Sequence, residues 1–378
     1  MRLQTLRLNW ASRGSQPDER LRIRFLGAQG NYNSVAVHGH RVSTGINALG
    51  LPNVTSEVVL IPRRTFSPGL LFSPLRQRLW RSLIDGADIL VLIKASVFPG
   101  FESTAAAFRD LCHSRDVILV SSPADGPGSR FGDTRDRFSE EIADYVFPAS
   151  AAQRDYLSKH RAPATVFDVG VATRPLSDVS IPIREPVRTV VWENPPHYDP
   201  DFKPDTLALS KDAYAAFEST VRRFCEQRGA SLLTFGFWFD QQSDRAWQEL
   251  MLSADIAIEC KAFNRAHTEY QLQKPATKLL NYLSLGLPVI CDSVPSYVEL
   301  GKQAKVLFAD TLTDWTEHLE RLFESPTLRA EMSAAARETA APYGIASVSR
   351  NHVLSFQQML KARGAAPGHP AGHDTATA

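Results

Sequence analysis

Lys274 and Lys278 stand four positions apart where the stretch KPATKLLNYLSLG (274–286) turns helical. A helix N-terminus already carries partial positive charge, so cations there do nothing for the helix itself. Beside an anion they make sense, because a phosphate at a helix start also meets the free N–H groups of the first turn, Thr277 among them. A second basic group, Lys261, Arg265 and His267, lies in ECKAFNRAH (259–267), directly after an apolar run. Loops after strands are where α/β sheets bind ligands, so Lys261 and Arg265 are candidates to share an anionic ligand with Lys278. Exposed, solubilising lysines and a solvated loop are the plain alternative. WENPPH (192–197) ends another apolar run and aims Glu193 and Asn194 at the same crevice, although its Pro-Pro pair is also turn chemistry.

The first half offers less charge. GAQGNYNSVAVHGHRV (27–42) is a glycine-containing loop that leads into a helix bearing His38, His40 and Arg41. Its glycines, Gly27 and Gly30, fall short of the dinucleotide fingerprint, which sets NAD aside. His38 is a candidate to orient a bound ligand, with capping or surface exposure the commoner fate of such a histidine. Asp125 in SSPADGPGS (121–129) could help as a base, although the same residues make a good turn. Asp-Pro-Asp at 199–201 imitates an Asp-x-Asp metal motif, but its central proline marks a turn, and no metal site is expected.

These residues need elements to hold them. Short apolar runs at 21–28, 56–62, 87–93, 116–122, 144–150 and 164–170 alternate with helical patterns, and so do runs at 187–193, 231–237, 254–260, 288–292 and 304–309. That alternation predicts parallel strands joined by βαβ crossovers. An aperiodic, proline-containing break at 172–186 divides it into two doubly wound α/β domains, 21–171 and 187–345. A helix at 346–362 follows the second unit and is expected to pack back across the cleft, while 1–20 and 363–378 read as disordered.

Composition agrees. The chain has 378 residues, 43% hydrophobic and 22% charged, with a net charge of +1, so no global attraction to nucleic acid is expected. Four cysteines, Cys112, Cys225, Cys260 and Cys291, are scattered without a CxxC pair and read as reduced thiols of a cytoplasmic protein. Neither a signal peptide nor a membrane-spanning run is expected. The segment 62–84 carries five arginines and no acidic residue among large apolar side chains. It reads either as a helix with its apolar face on the sheet or as a peripheral contact with an anionic membrane, the buried helix being slightly favoured.

The stretch LLNYLSLGLPVICDSVPSYVELG (279–301), a helix, a Gly-x-Pro-Val turn, a strand and a further helix, resembles the donor-binding motif of GT-B glycosyltransferases of the large retaining (group 1-like) family. WQELMLSADIAIECKAF (247–263) resembles the unit before it. The resemblance implies two Rossmann-like domains facing a central cleft and a nucleotide diphosphate-sugar donor in the second. It also implies a sugar, lipid-linked or protein acceptor in the first, and metal-independent transfer. The family's two glutamates fall on Gln273 and Asn281, polar but uncharged, and Gly30 falls on the loop that approaches the donor. Two rival readings follow from the same resemblance: a nucleotide-sugar epimerase, and a non-catalytic nucleotide-sugar-binding partner subunit.

Overall fold

Five parallel strands form the first sheet: β1 (Leu21–Ala28), β2 (Val54–Ile61), β3 (Ile89–Ile93), β4 (Ile118–Ser122) and β5 (Tyr145–Val146), in the order β2-β1-β3-β4-β5. Its helices are α1 (Tyr32–Val35), α2 (Arg41–Ala48), α3 (Pro74–Ile84), α4 (Ala105–His113) and α5 (Ala151–His160), with a π-helical turn, Ala36–His40, joining α1 to α2. The second sheet has β6 (Thr189–Glu193), β7 (Ser231–Phe235), β8 (Ile256–Glu259), β9 (Val289–Cys291) and β10 (Leu307–Phe308), in the order β10-β9-β8-β6-β7. Around it lie α6 (Lys211–Gln227), α7 (Thr277–Ser284), α8 (Pro295–Gln303), α9 (Leu312–Glu324) and α10 (Pro326–Ala340), and α11 (Ile345–Gly364) closes the chain.

This computed structural model describes residues 20–29, 32–66, 74–124, 138–173, 181–193, 210–235, 247, 249–261 and 274–364. Gly30, Asp125, Asn194, the 199–201 segment, Arg265, His267, Gln273 and nearly all of both termini lie outside the described residues.

Period-two patterning explains how each sheet is sandwiched. In β3, Leu90 and Leu92 join Phe66, Trp80 and Phe108 on one face, while Ile89, Val91 and Ile93 join Phe25 and Val42 on the other. Both faces are dry, as a parallel sheet covered by helices requires. The second face of this sheet is completed by α11, whose Val353, Phe356 and Met359 enter the same cluster. Gly45 makes that docking possible: a Cβ there would stand 2.1 Å from Ser349 Oγ. Two hydrogen bonds tie the C-terminal part of the chain to the first domain and its exit. The N–H of Thr173 donates to Tyr343 O at 2.9 Å, and Ser349 Oγ donates to Val42 O at 3.2 Å.

Two expectations change, at 164–170 and at Lys274, and the described residues of 62–84 fit the favoured reading, a helix on the sheet. The run 164–170 contributes only a single bridge, Val166 to Val146, and then leaves the sheet as extended chain toward the second domain. The basic segment places Phe66, Trp80, Leu83 and Ile84 in the core, so α3 is an amphipathic helix on the sheet, with Arg78 and Arg81 outward. Lys274 precedes α7 instead of lying in its opening turns, because the helix begins only at Thr277, after Pro275 and the N-cap Ala276. α7 ends as anticipated: Gly286 adopts φ 72°, and a Cβ there would meet the Arg337 guanidinium at 2.3 Å. Only glycine suits both constraints.

Candidate functional site

Each sheet reverses its strand order once, between β1 and β3 in the first and between β6 and β8 in the second. Such a switch point opens a crevice beyond the carboxyl ends of the two strands. In the second domain those ends are Glu193, the last residue of β6, and Glu259, the last of β8. α7 begins beside them, and it carries Lys278 into the crevice.

Glu259 is 0% exposed. Its Oε1 pairs with Lys261 Nζ and, at 3.4 Å, with Lys278 Nζ. Lys278 Nζ also donates to the backbone oxygen of Glu193 at 2.9 Å. Tyr282, one helical turn further along α7, accepts the Glu193 N–H at 2.8 Å and holds the end of β6 against the helix. On the other side, the N–H of Lys261 donates to Asp292 Oδ2 at 2.8 Å, and its carbonyl accepts the Tyr214 hydroxyl. Glu259 and the Glu193 carbonyl thus hold the two ammonium groups while Asp292 and Tyr214 fix the Lys261 backbone, with the lysine side chains 14% and 17% exposed.

The electrostatics follow from burial. Desolvation lowers Lys278 to about 8, and the neighbouring Lys261 pushes the same way, against the pull of Glu259 and Glu193. Burial acts downward on Lys261 too, but there the pairing with Glu259 outweighs it and the net shift is upward. The Cys260 and Cys291 thiols beside the cluster are pushed well up by burial and are inert. All four cysteines are buried and unbridged.

Of the candidates read from the sequence, the structure brings Lys261, Lys278 and Glu193 together. Thr277 stands at the first position of α7, partly exposed. Asn281 is buried within the same helix, and Lys274 lies just outside, where its carbonyl accepts the Ser296 hydroxyl at 2.6 Å. Sequence reasoning passed over Glu259. Its signal was a carboxylate as the last residue of an otherwise apolar strand, ADIAIE (254–259), two residues before a lysine. One anion that justifies the lysines is the protein's own, Glu259.

In the first domain, His38 sits on the π-helical turn with Nδ1 3.4 Å from Ser122 Oγ, at the carboxyl end of β4. Lys94, which the sequence reading did not single out, follows β3 in a left-handed conformation, φ 51°, and its N–H donates to Ser122 O at 2.8 Å. These three residues gather at the first switch-point end. His40 is exposed, and Arg41 is spent on structure, donating to Ala172 O at 3.0 Å. Among the described residues, no group of three or more His, Cys, Asp or Glu could hold a metal ion. None of their helices is long and apolar enough to cross a membrane. A cavity of about 560 Å³ lies elsewhere, between α2, the end of α7 and the α10–α11 junction, and none of the cluster residues lines it.

No protein-family model matches the sequence, and no curated protein matches it at a significant level. Solved structures do match. The lipopolysaccharide outer core galactosyltransferase WaaB in its apo form superposes with a TM-score of 0.57 at 14% identity, over 90% of this chain and 100% of its own. Anabaena HepE in complex with UDP and glucose gives 0.55 at 12%, over 92% and 100%. A putative UDP-N-acetylglucosamine 2-epimerase from Listeria monocytogenes gives 0.52 at 13%, over 91% and 97%. At such identities the likeness is one of architecture, and with the repeated strand order it defines the chain: it has the GT-B fold, two Rossmann-like domains facing a central cleft.

Proposed function

We propose that this chain is a glycosyltransferase that moves a sugar from a nucleotide diphosphate-sugar to an acceptor hydroxyl in surface polysaccharide or glycoconjugate synthesis. The observation that carries the reading is the pair of ammonium groups, Lys261 and Lys278, at the β6/β8 switch point beside the start of α7. A diphosphate placed there meets two cations and the N–H groups of a helix N-terminus. In the reaction, the bond from the anomeric carbon to the phosphate oxygen breaks and the nucleoside diphosphate leaves, its charge stabilised by Lys278 and Lys261. The acceptor oxygen bonds to the same carbon from the same face, and its proton passes to the departing phosphate oxygen. Retention follows, no metal is called for, and closure of the cleft keeps water out.

His38, Lys94 and Ser122 are placed to orient the acceptor in the first domain. The outward basic face of α3 and the exposed Arg63 and Arg64 favour a lipid-linked acceptor at an anionic membrane surface. The structural likeness to a putative epimerase supports a second reading, in which the same donor site isomerises the sugar nucleotide.

Calorimetry with UDP, GDP and ADP, followed by turnover of the matched nucleotide-sugar in EDTA, tests the proposal. Lys278→Met keeps the apolar stem and removes the charge, and it should weaken the matched nucleotide at least tenfold, about 1.4 kcal/mol. Unaltered affinity would move the donor site elsewhere. Isomerised donor without any acceptor would favour the epimerase, and nucleotide binding without turnover a partner subunit.

A further inference from the structure

We infer that Glu259 is a positioning residue of this site: its buried carboxylate holds Lys261 and Lys278 side by side as ammonium groups and yields Lys278 to a phosphate when one arrives. The inference rests on the donor-site reading above and adds to it the device that keeps both lysines charged.

A carboxylate at the end of a central parallel strand is costly. Glu259 is 0% exposed, and among the described residues neither of its oxygens accepts a hydrogen bond from a backbone N–H or a hydroxyl. Its compensation among the described residues comes from the two ammonium groups. A buried ion pair of this kind seldom stabilises a fold more than apolar residues of the same size would, so stability alone is a poor reason for it. Position supplies a better one. The carboxylate lies at the back of the crevice and both cations lie in front of it, partly exposed, where a ligand enters.

The cations also need it. Two ammonium groups against one oxygen repel each other, and in a half-dry crevice one of them sheds its proton unless a negative charge stands by. The groups that face Lys278 among the described residues are Glu193 from β6, Glu259 from β8 and Lys261 just after it. Asp292, after β9, faces Lys261, and Tyr297 of α8 faces Glu259. Glu193 already shares its backbone oxygen with Lys278 and its N–H with Tyr282. Glu259 forms an ion pair with both lysines. At 3.4 Å the contact with Lys278 is the looser of the two, so Lys278 is the cation most readily transferred to a phosphate.

Binding of UDP measured from pH 6 to pH 9 on the parent, Glu259→Gln and Glu259→Asp tests this. The parent should lose UDP as the pH rises through the Lys278 value of about 8. Glu259→Gln should lose it at least one pH unit lower and bind at least about fivefold more weakly at pH 8. At pH 6, where both lysines hold their protons regardless, it should bind as tightly as the parent or more tightly, since a charge that competes for them is gone. Glu259→Asp keeps the charge and should stay within about half a unit of the parent. Weakening by one constant factor at every pH would show a merely structural role and overturn the inference, and so would an unchanged profile or a Glu259→Asp shift as large as that of Glu259→Gln. The pH dependence of Lys278 acetylation by acetic anhydride, read by mass spectrometry, needs no nucleotide. Its onset should move down by the same unit in Glu259→Gln, and an unmoved onset overturns the inference even if UDP proves to be the wrong ligand. A parent that binds no nucleotide, but shows the shifted acetylation, would sink the donor-site reading and leave the clamp standing.

Discussion

The two domains are the same topology built twice, and their switch points hold opposite chemistry. In each sheet the first strand of the unit has the second on one side and the third on the other, followed by the fourth and fifth. At the first crevice stand His38, Lys94 and Ser122, joined by hydrogen bonds of 2.8 and 3.4 Å. At the second, three buried carboxylates, Glu193, Glu259 and Asp292, meet Lys261 and Lys278. Topology decides where a ligand can sit, and the few residues at the strand ends decide what kind. The domains also differ in how they are finished. The second closes with its own helices α9 and α10, whereas one face of the first is covered by α11 from the far end of the chain.

The largest effect should come from reversing charge in the second crevice. A glutamate near the start of a free helix would suit its dipole. In this helix, Lys278→Glu adds a carboxylate beside buried Glu259 and strips that residue of one of its two cations. We expect a loss of about 3 kcal/mol or more, visible as a lower melting temperature. His38→Ala in the other crevice should leave the melting temperature nearly unchanged while reducing transfer. Equal melting of both variants would mean that the second crevice is no more strongly coupled than the first.

A smaller effect separates the domains by acid. His352 of α11 is buried between Phe147 and Phe356, with Nδ1–H donating to Val348 O at 2.9 Å, and burial lowers it from 6.5 to about 4. The unfolded chain therefore binds the extra proton first. Stability is complete above pH 6.5 and is lost as the pH falls toward 4, by about 3 kcal/mol in all. Hydrogen exchange should show α11 and the first sheet opening before the second sheet, and His352→Leu should flatten that acid limb. Simultaneous opening of both domains would argue against a local origin.

The smallest effect concerns the surface of the first domain. With Phe66 and Trp80 in the core, the described residues outward near α3 include Arg63, Arg64, Arg78 and Arg81 with Leu79, which is 37% exposed. Co-sedimentation with anionic vesicles should be weak, lost in high salt, and reduced further in an Arg78→Glu, Arg81→Glu variant. Equal recovery with neutral vesicles would remove the membrane reading.

What the sequence determined by itself was the succession of elements and the places where they stop. Apolar runs of strand length, helical periodicity between them and the Gly286-Leu287-Pro288 turn are local signals, written within a few residues of the structure they cause. They sufficed for two α/β units and for a helix that begins near cations. Where local signals were short they misled: the run at 164–170 has strand composition but pairs only through Val166, because the chain must leave the sheet there to reach the second domain. The tertiary structure alone decided who meets whom. Lys278 reaches the Glu193 carbonyl across 85 residues, and Ser349 reaches Val42 across 307. Glu259 meets both lysines only because the strand order sets β8 directly beside β6 and lays α7 against their ends. The cost of a buried charge is settled by its neighbours in space, and a sequence read along its length lists neighbours in the chain.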